Sequence, residues 1–245
     1  MNTIAGFDRC LSFINCQLQT PGPVQRRQDG RIHGVTVSRQ SGCGAHTFAD
    51  TLAAFLQTRQ PPGERPWTVF DRDLVEAVLQ DHHLPARLAS FIPEDRVGQI
   101  NDTIEHLFGL HPPTEVLVRQ VSQTVLHLAQ LGNVIILGRG GNVVTAELPW
   151  MLHVRLIGSI EERVAHIQHF DHLDREAALA RIKREDGGRR RYLRQYFGED
   201  VDNPLLYDFV IKTDQVGLED AAAMVGTYAL NHRVRTAVRE LHQAV

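Results

Sequence analysis

The sequence lacks a disulfide framework, a membrane span and a surplus of positive charge. Its 245 residues hold three cysteines, Cys10, Cys16 and Cys43, too few for a stapled secreted domain and suited to a reducing cytoplasm. No apolar run approaches the roughly 18 residues of a membrane helix. The N-terminus has no basic segment leading into an apolar stretch, so a secretory signal is not expected. The net charge is −3 and the isoelectric point about 6.5, which argues against a global basic footprint for nucleic acid. There is no internal repeat. What remains is a chain with 42% hydrophobic residues, enough for one sizeable core or one α/β domain with an inserted lid.

The organisation follows from punctuation and periodicity. Residues 1–20 read as a short amphipathic helix with Ile4, Phe7, Leu11 and Ile14 on one side. A Pro- and Gly-rich stretch to residue 31 reads as a linker, so residues 1–31 form an extension and 32–245 the main domain. Strands are expected at Val35 and Val37 and over 67–70, 133–137, 151–157 and 209–212. Helices are expected after the first strand, across 73–131 with breaks at Pro93 and at 111–113, from a capping box at 159–162 onward, and at the C-terminus. Strands alternating with helices imply a parallel sheet covered on both faces, an α/β fold.

The chemistry concentrates first at residues 35–49. The β-branched strand residues Val35 and Val37 run into a turn of small residues, Ser41, Gly42 and Gly44, and a helix follows with Phe48, Leu52, Phe55 and Leu56 on one face. Strand, glycine turn and helix N-terminus aim backbone N–H groups and a positive dipole end at one spot, as in a phosphate cradle. The usual pattern G-x-x-x-x-G-K-[ST] is incomplete. Gly44 is its second glycine, Ala45 stands at the lysine, His46 at the magnesium hydroxyl, and Arg39 at the first glycine.

Five segments in order, Ser-Arg-Gln-Ser-Gly-Cys-Gly at 38–44, Val-Phe-Asp-Arg-Asp at 69–73, Arg119, Ile-Leu-Gly-Arg-Gly-Gly-Asn at 136–142 and the arginine-rich stretch 181–194, resemble the P-loop nucleoside monophosphate kinases, most closely the cytidylate kinase-like family. The resemblance covers residues 32 to 225. It implies a three-layer nucleotide kinase fold with a five-stranded parallel sheet and a helical lid at about 160–197. It also implies ATP and Mg²⁺ as cofactors and a CMP- or dCMP-like acceptor. Loops without the lysine are common in the cytidylate kinase-like group, so Ala45-His46 is a group trait.

The resemblance assigns roles to particular positions. The donor phosphates would lie on Ser41, Gly42, Cys43, Gly44, Ala45, His46 and Thr47. Arg39 and His46 are the nearest replacements for the lost lysine charge, and His46 helps only when protonated. Alternatively, His46 and Thr47 merely finish the first helical turn. Asp71 and Arg72 would lie at the acceptor nucleotide, Asp71 having a helix N-cap as its other reading. Arg139 leaves an apolar strand into a glycine pair and resembles the arginine that holds the acceptor phosphate, against a surface salt bridge as the alternative. Gly140 replaces that segment's aspartate. Arg119 resembles a second acceptor-phosphate arginine but also reads as a lone helical arginine. Arg184, Arg189 and Arg190 are the first choices to close over ATP from two helices hinged at Gly187-Gly188. The same stretch alternatively reads as a solvated helix face or a local nucleic-acid patch.

Three further side-chain features carry no role in this chemistry. His166, His169, Asp171, His172 and Asp174 match no zinc signature and give no metal site. Cys43 at a helix N-terminus reads as a small residue with an acidic, oxidation-sensitive thiol. Asp208 and Asp214 flank the last strand as caps or turn residues. The sequence thus supports a cytoplasmic, ATP-dependent nucleoside monophosphate kinase. The alternative is a weak or inactive nucleotide-binding sensor, whose N-terminal segment offers a surface for a protein partner or self-association. A kinase with a different acceptor is the third reading.

Overall fold

The computed structural model describes residues 30–71 and 113–232. The helix expected at 1–20, those expected across 73–112, and Arg72 and Asp73 lie outside the described residues. In chain order the elements are β1 (Gly34–Arg39), α1 (Ala45–Gln57), β2 (Thr68–Phe70), α2 (Pro113–Leu131), β3 (Val134–Leu137), the one-turn α3 (Gly141–Val144), β4 (Met151–Ile157), α4 (Ile160–Asp171), α5 (Arg175–Phe197), β5 (Phe209–Lys212) and α6 (Leu218–Asn231). A 3₁₀ turn at Pro204–Leu206 precedes β5.

The five strands form one parallel sheet in the order β2-β3-β1-β4-β5. β1 is central: Val35 pairs with Ile135 of β3 on one side and with Leu152 of β4 on the other. The chain leaves β1 for β2 and β3 on one flank and then crosses to β4 and β5 on the other. β1 therefore sits where the strand order reverses. In an open parallel sheet that point opens a crevice beyond the carboxyl ends of the strands.

Residue alternation explains why the sheet is covered on both faces. Val35 and Val37 are fully buried in the main core with Phe48, Leu52 and Leu56 of α1 and Ala221, Ala222 and Val225 of α6. The α1 residues recur every four positions, so one stripe of the helix faces the sheet. Thr36, one residue out of phase, lies under α3 on the opposite face, where Gly141 comes close to its methyl group. α6 reaches α1 closely enough that a Cβ on Gly226 would collide with the Phe55 ring. Two consecutive left-handed residues, Gly132 and Asn133, stop α2. The Asn133 side-chain amide then donates to the Arg65 carbonyl at 2.5 Å, tying the start of β3 to the segment before β2.

One expectation is corrected. Residues 175–197 form a single unbroken helix, not two helices hinged at Gly187-Gly188. Asp174 caps it by accepting the Ala177 N–H at 2.8 Å, and left-handed Gly198 ends it. The intrinsic cost of two interior glycines, about 1 kcal/mol each against alanine, is carried by a 23-residue helix with strong caps. α4 and α5 pack on each other through a small core of their own: Val164, Ile167, Ala178 and Ile182, with Leu173 against it.

Candidate phosphate-binding site

The carboxyl end of β1 passes directly into the loop 40–44 and then α1. Gly44 caps α1 in the left-handed conformation with no side-chain hydrogen bond. Gly42 also has a positive φ of 86°, and a Cβ there would lie 2.5 Å from the Arg163 carbonyl oxygen. The first turn of α4 thus closes down on the loop at a position only glycine fits. The loop faces a cleft of about 770 Å³, bounded by the carboxyl ends of β1, β2 and β3 on one side and by the α4–α5 hairpin on the other.

The cleft gathers most of the residues picked out from the sequence. Arg39, Ser41, Gly42, Cys43, Gly44, Ala45, His46, Thr47, Asp71, Arg139 and Arg189 all line it. His46 and Thr47 are exposed on the first turn of α1, while Ala45 is buried and belongs to the main core. Arg119 on α2 does not line the cleft. Arg184 and Arg190 are exposed and lie outside it too, Arg190 turning to Asp202 at 2.8 Å. Arg72 lies outside the described residues.

Helical geometry explains the selection on α5. The residues it sends to the cleft are Arg181, Glu185, Gly188, Arg189, Tyr192 and Leu193, one stripe at the i, i+4, i+7/8, i+11/12 spacing. Each residue advances about 100° around the axis. Arg184 and Arg190 therefore point away whenever Arg189 points in.

The electrostatics are those of a site crowded with like charge. Burial lowers the Arg39 guanidinium to about 10, and the positive charges of Arg189 and Arg139 add to the effect, against the opposing pull of Glu185 and Asp71. Arg39 is still a cation at neutral pH. Its guanidinium lies over Gly138, at the carboxyl end of β3. Arg139 follows with φ 56° between Gly138 at 79° and Gly140 at 67°. A left-handed arginine costs about 1–2 kcal/mol, and such strain concentrates where a side chain is held for use.

Polar groups on the hairpin complete the arrangement. Asp186 accepts the Ser41 N–H at 2.7 Å and Glu185 accepts the Ser41 hydroxyl at 2.6 Å. Arg163 holds Asp186 at 2.7 Å, Arg181 holds Glu185 at 2.9 Å, and Arg189 reaches both, at 3.0 and 3.1 Å. Burial alone would raise Glu185, but the bonds from Ser41 and Arg181 and the Arg189 charge outweigh it and hold the carboxyl below its usual range. Asn142 Nδ2 and Tyr192 Oη, buried atoms of lining residues, have no hydrogen-bond partner among the described residues. Burial pushes the Tyr192 phenol up, so it stays protonated and able to donate. Donors without acceptors, beside a cluster of guanidinium groups, fit a ligand rich in anionic oxygens.

The neighbouring cysteine and carboxylates have structural partners. Cys43 is buried and 3% exposed, and burial pushes its thiol up despite a bond with Thr213 and the Arg163 charge. This corrects the expected acidic, oxidation-sensitive thiol: enclosure outweighs the helix terminus. Asp171 pairs with Arg181 at 2.9 Å, and Asp174 is spent as a cap. Asp214 accepts the Ser159 N–H at 2.9 and 3.0 Å, linking the end of β5 to the start of α4. Asp208 accepts the His153 N–H at 2.7 Å.

Reasoning from sequence missed Arg155 and Arg163, and it took in Arg181, Glu185, Asp186, Tyr192 and Asn142 only as parts of the 181–194 and 136–142 segments, without roles of their own. Arg155, 4% exposed in the middle of β4, donates to Ser38 at 2.9 Å and to Asp202 at 2.7 Å. Its signal was visible as an arginine inside the apolar strand Met-Leu-His-Val-Arg-Leu-Ile. Another visible signal is that the chain's 26 basic residues include only two lysines, Lys183 and Lys212. Its cation chemistry is almost wholly guanidinium.

No curated protein sequence matches the chain. A structure titled as an uncharacterized protein from Eubacterium ventriosum ATCC 27560 is similar to it with a TM-score of 0.53 at 19% identity, over 80% of this chain and 98% of that one, which speaks to the fold alone. TT1252 from Thermus thermophilus aligns over 81% of this chain and 97% of its own at 18% identity with a TM-score of 0.32, too low to bear on the fold. The model of the cytidylate kinase-like family matches residues 34–215, and the chain belongs to that family.

Proposed function

We propose that the protein transfers the γ-phosphoryl group of ATP to a nucleoside monophosphate, with a CMP- or dCMP-like acceptor favoured. Membership of the cytidylate kinase-like family supports nucleotide kinase-like chemistry in general. The observation that carries the finer reading is the grouping of Arg39, Arg139 and Arg189 with Asp71 around the 40–44 loop, in one cleft at the carboxyl ends of β1, β2 and β3. Phosphoryl transfer asks for cations and donors around the moving group more than for a protein nucleophile. An acceptor phosphate oxygen forms the new P–O bond as the bond to the β-phosphate bridging oxygen breaks, and ADP leaves. No general base is needed.

In this reading the loop amides and the α1 terminus hold the donor phosphates, and Arg39 supplies the charge that lysine gives elsewhere. Arg139 and Tyr192 hold the acceptor, and the α4–α5 hairpin is the lid, closing with Arg189. Mg²⁺ would arrive with the nucleotide, bound mainly by phosphate oxygens, with the Ser41 or Thr47 hydroxyl the nearest protein group.

The test is transfer of label from γ-labelled ATP to each nucleoside monophosphate. We expect CMP or dCMP to be labelled and Arg139→Ala to lower kcat/KM by about 10²-fold or more, the scale for losing one donor to the transferring group. Labelling of no acceptor by a folded protein that still binds ATP would favour the second reading, a nucleotide-binding sensor. One observation favours that reading: the lysine position is a buried alanine.

A further inference from the structure

Glu185 and Asp186 stand where a phosphate-binding loop should meet its ligand. The Ser41 N–H and hydroxyl each donate to a carboxylate of α5, at 2.7 and 2.6 Å. Both carboxylates are at the same time held by arginines: Asp186 by Arg163 and Arg189, and Glu185 by Arg181 and Arg189. A loop amide, a hydroxyl and guanidinium groups around two anionic groups make up the donor set of a bound polyphosphate. The carboxylates lie 144 and 145 residues from Ser41 in sequence, so the contact belongs to the tertiary fold and not to any local turn.

We infer that this is a self-occupied anion site, in which Glu185 and Asp186 compete with a polyphosphate for Ser41, Arg181 and Arg189. The inference rests on reading residues 40–44 as a phosphate loop. Its consequence is a latch. A polyphosphate entering the loop displaces the two carboxylates, freeing Arg181 and Arg189 to turn onto the ligand. Arg163 lies behind the cleft and keeps Asp186 through a side chain only 7% exposed, so α5 stays attached to α4 as it moves. The cost of opening the latch lowers the apparent affinity for the ligand by the fraction of molecules already open.

The experiment measures binding of inorganic tripolyphosphate, by calorimetry, to the full chain and to Glu185→Gln, the double variant Glu185→Gln/Asp186→Asn, and Asp171→Asn. The last removes one negative charge from the same cleft, and one partner of Arg181, without touching Ser41. Hydrogen exchange of the ligand-free proteins and their melting temperatures are recorded alongside. A latch closed in nine molecules of ten predicts about tenfold tighter binding by the double variant, an intermediate gain for Glu185→Gln, and faster exchange in 40–44 and α5 before any ligand is added. Unchanged or weaker binding by folded variants overturns the inference. So does a gain in Asp171→Asn equal to that of Glu185→Gln, which would reduce the effect to bulk charge or to the release of Arg181, with no part for the Ser41 contacts. The kinase reading is judged separately, by label transfer in the unaltered protein. Transfer without an affinity change sinks the latch alone, and tighter tripolyphosphate binding without transfer to any acceptor sinks the kinase reading alone.

Discussion

The two walls of the cleft are built on different physics. The loop wall rests on the main core, where Val35, Val37, Phe48, Leu52 and Leu56 are 0% exposed. The hairpin wall has a small cluster of four buried apolar residues as its own core and meets the loop through carboxylates and arginines. Apolar burial is nearly indifferent to pH and to salt, whereas ion pairs depend on both. One wall is therefore a fixed platform and the other a part whose attachment can be tuned or exchanged for a charged ligand.

The largest expected effect breaks the platform. Leu52→Ala should destabilise the protein by about 2–5 kcal/mol, the range for a fully buried leucine, seen as a lower urea midpoint. Truncating exposed Leu179 on α5 should stay within about 0.5 kcal/mol. Comparable losses at both positions would end the distinction.

Acid should act on the other wall. Glu185 is held below the usual range as described, and for Asp202 the bonds and charges of Arg190 and Arg155 outweigh the upward push of burial. Carboxyls with lowered values in the folded state contribute stability that is complete above the ordinary range of about 4 to 4.5, and that is lost as pH falls through the lowered values. Hydrogen exchange at about pH 3, corrected for the intrinsic rate, should show protection falling in α5 before α1. Equal loss in both helices would mean that charge does not hold the hairpin.

Smaller effects sharpen the comparison at single atoms. Tyr192→Phe removes a buried hydroxyl with no partner among the described residues. The ligand-free protein should gain up to about 1 kcal/mol, since an unsatisfied buried group costs about 1–3, while nucleotide binding weakens. A lower melting temperature would show that the hydroxyl is bonded in solution. Gly188→Ala is the mildest change. A Cβ there meets nothing within 4 Å, and α5 should gain about 0.8–1 kcal/mol of helix stability. A fall in turnover alongside that gain would mean that α5 must bend at Gly188 during catalysis, and unchanged turnover that it works as a straight rod.

Much of the fold was readable because its signals are local. The expected strands at 133–137, 151–157 and 209–212 agree with β3, β4 and β5 to within one residue, since runs such as Val-Ile-Ile-Leu admit few other conformations between turn residues. Gly42 and Gly44 marked the loop for the same reason. The facing of α5 was not readable in that way. Arg184, Arg189 and Arg190 are alike in composition, and only the packing of Ala178, Ile182 and Leu193 fixes the rotation that sends Arg189 inward. Arg155 and Arg163 were passed over because a charged residue can be buried only when its partner is supplied, and those partners, Asp202 and Asp186, are 47 and 23 residues away.

The sequence by itself determined the alternation of strand and helix, the glycine turn after β1, the missing lysine and the abundance of arginine. Each is set by steric and periodic rules acting over a few residues. Only the tertiary structure decided which arginines share the cleft, that Cys43 is enclosed, that α5 continues unbroken through two glycines, and that Ser41 is gripped by Glu185 and Asp186. Those facts depend on contacts between distant segments, where burial and charge are fixed by the whole fold and no local rule reaches.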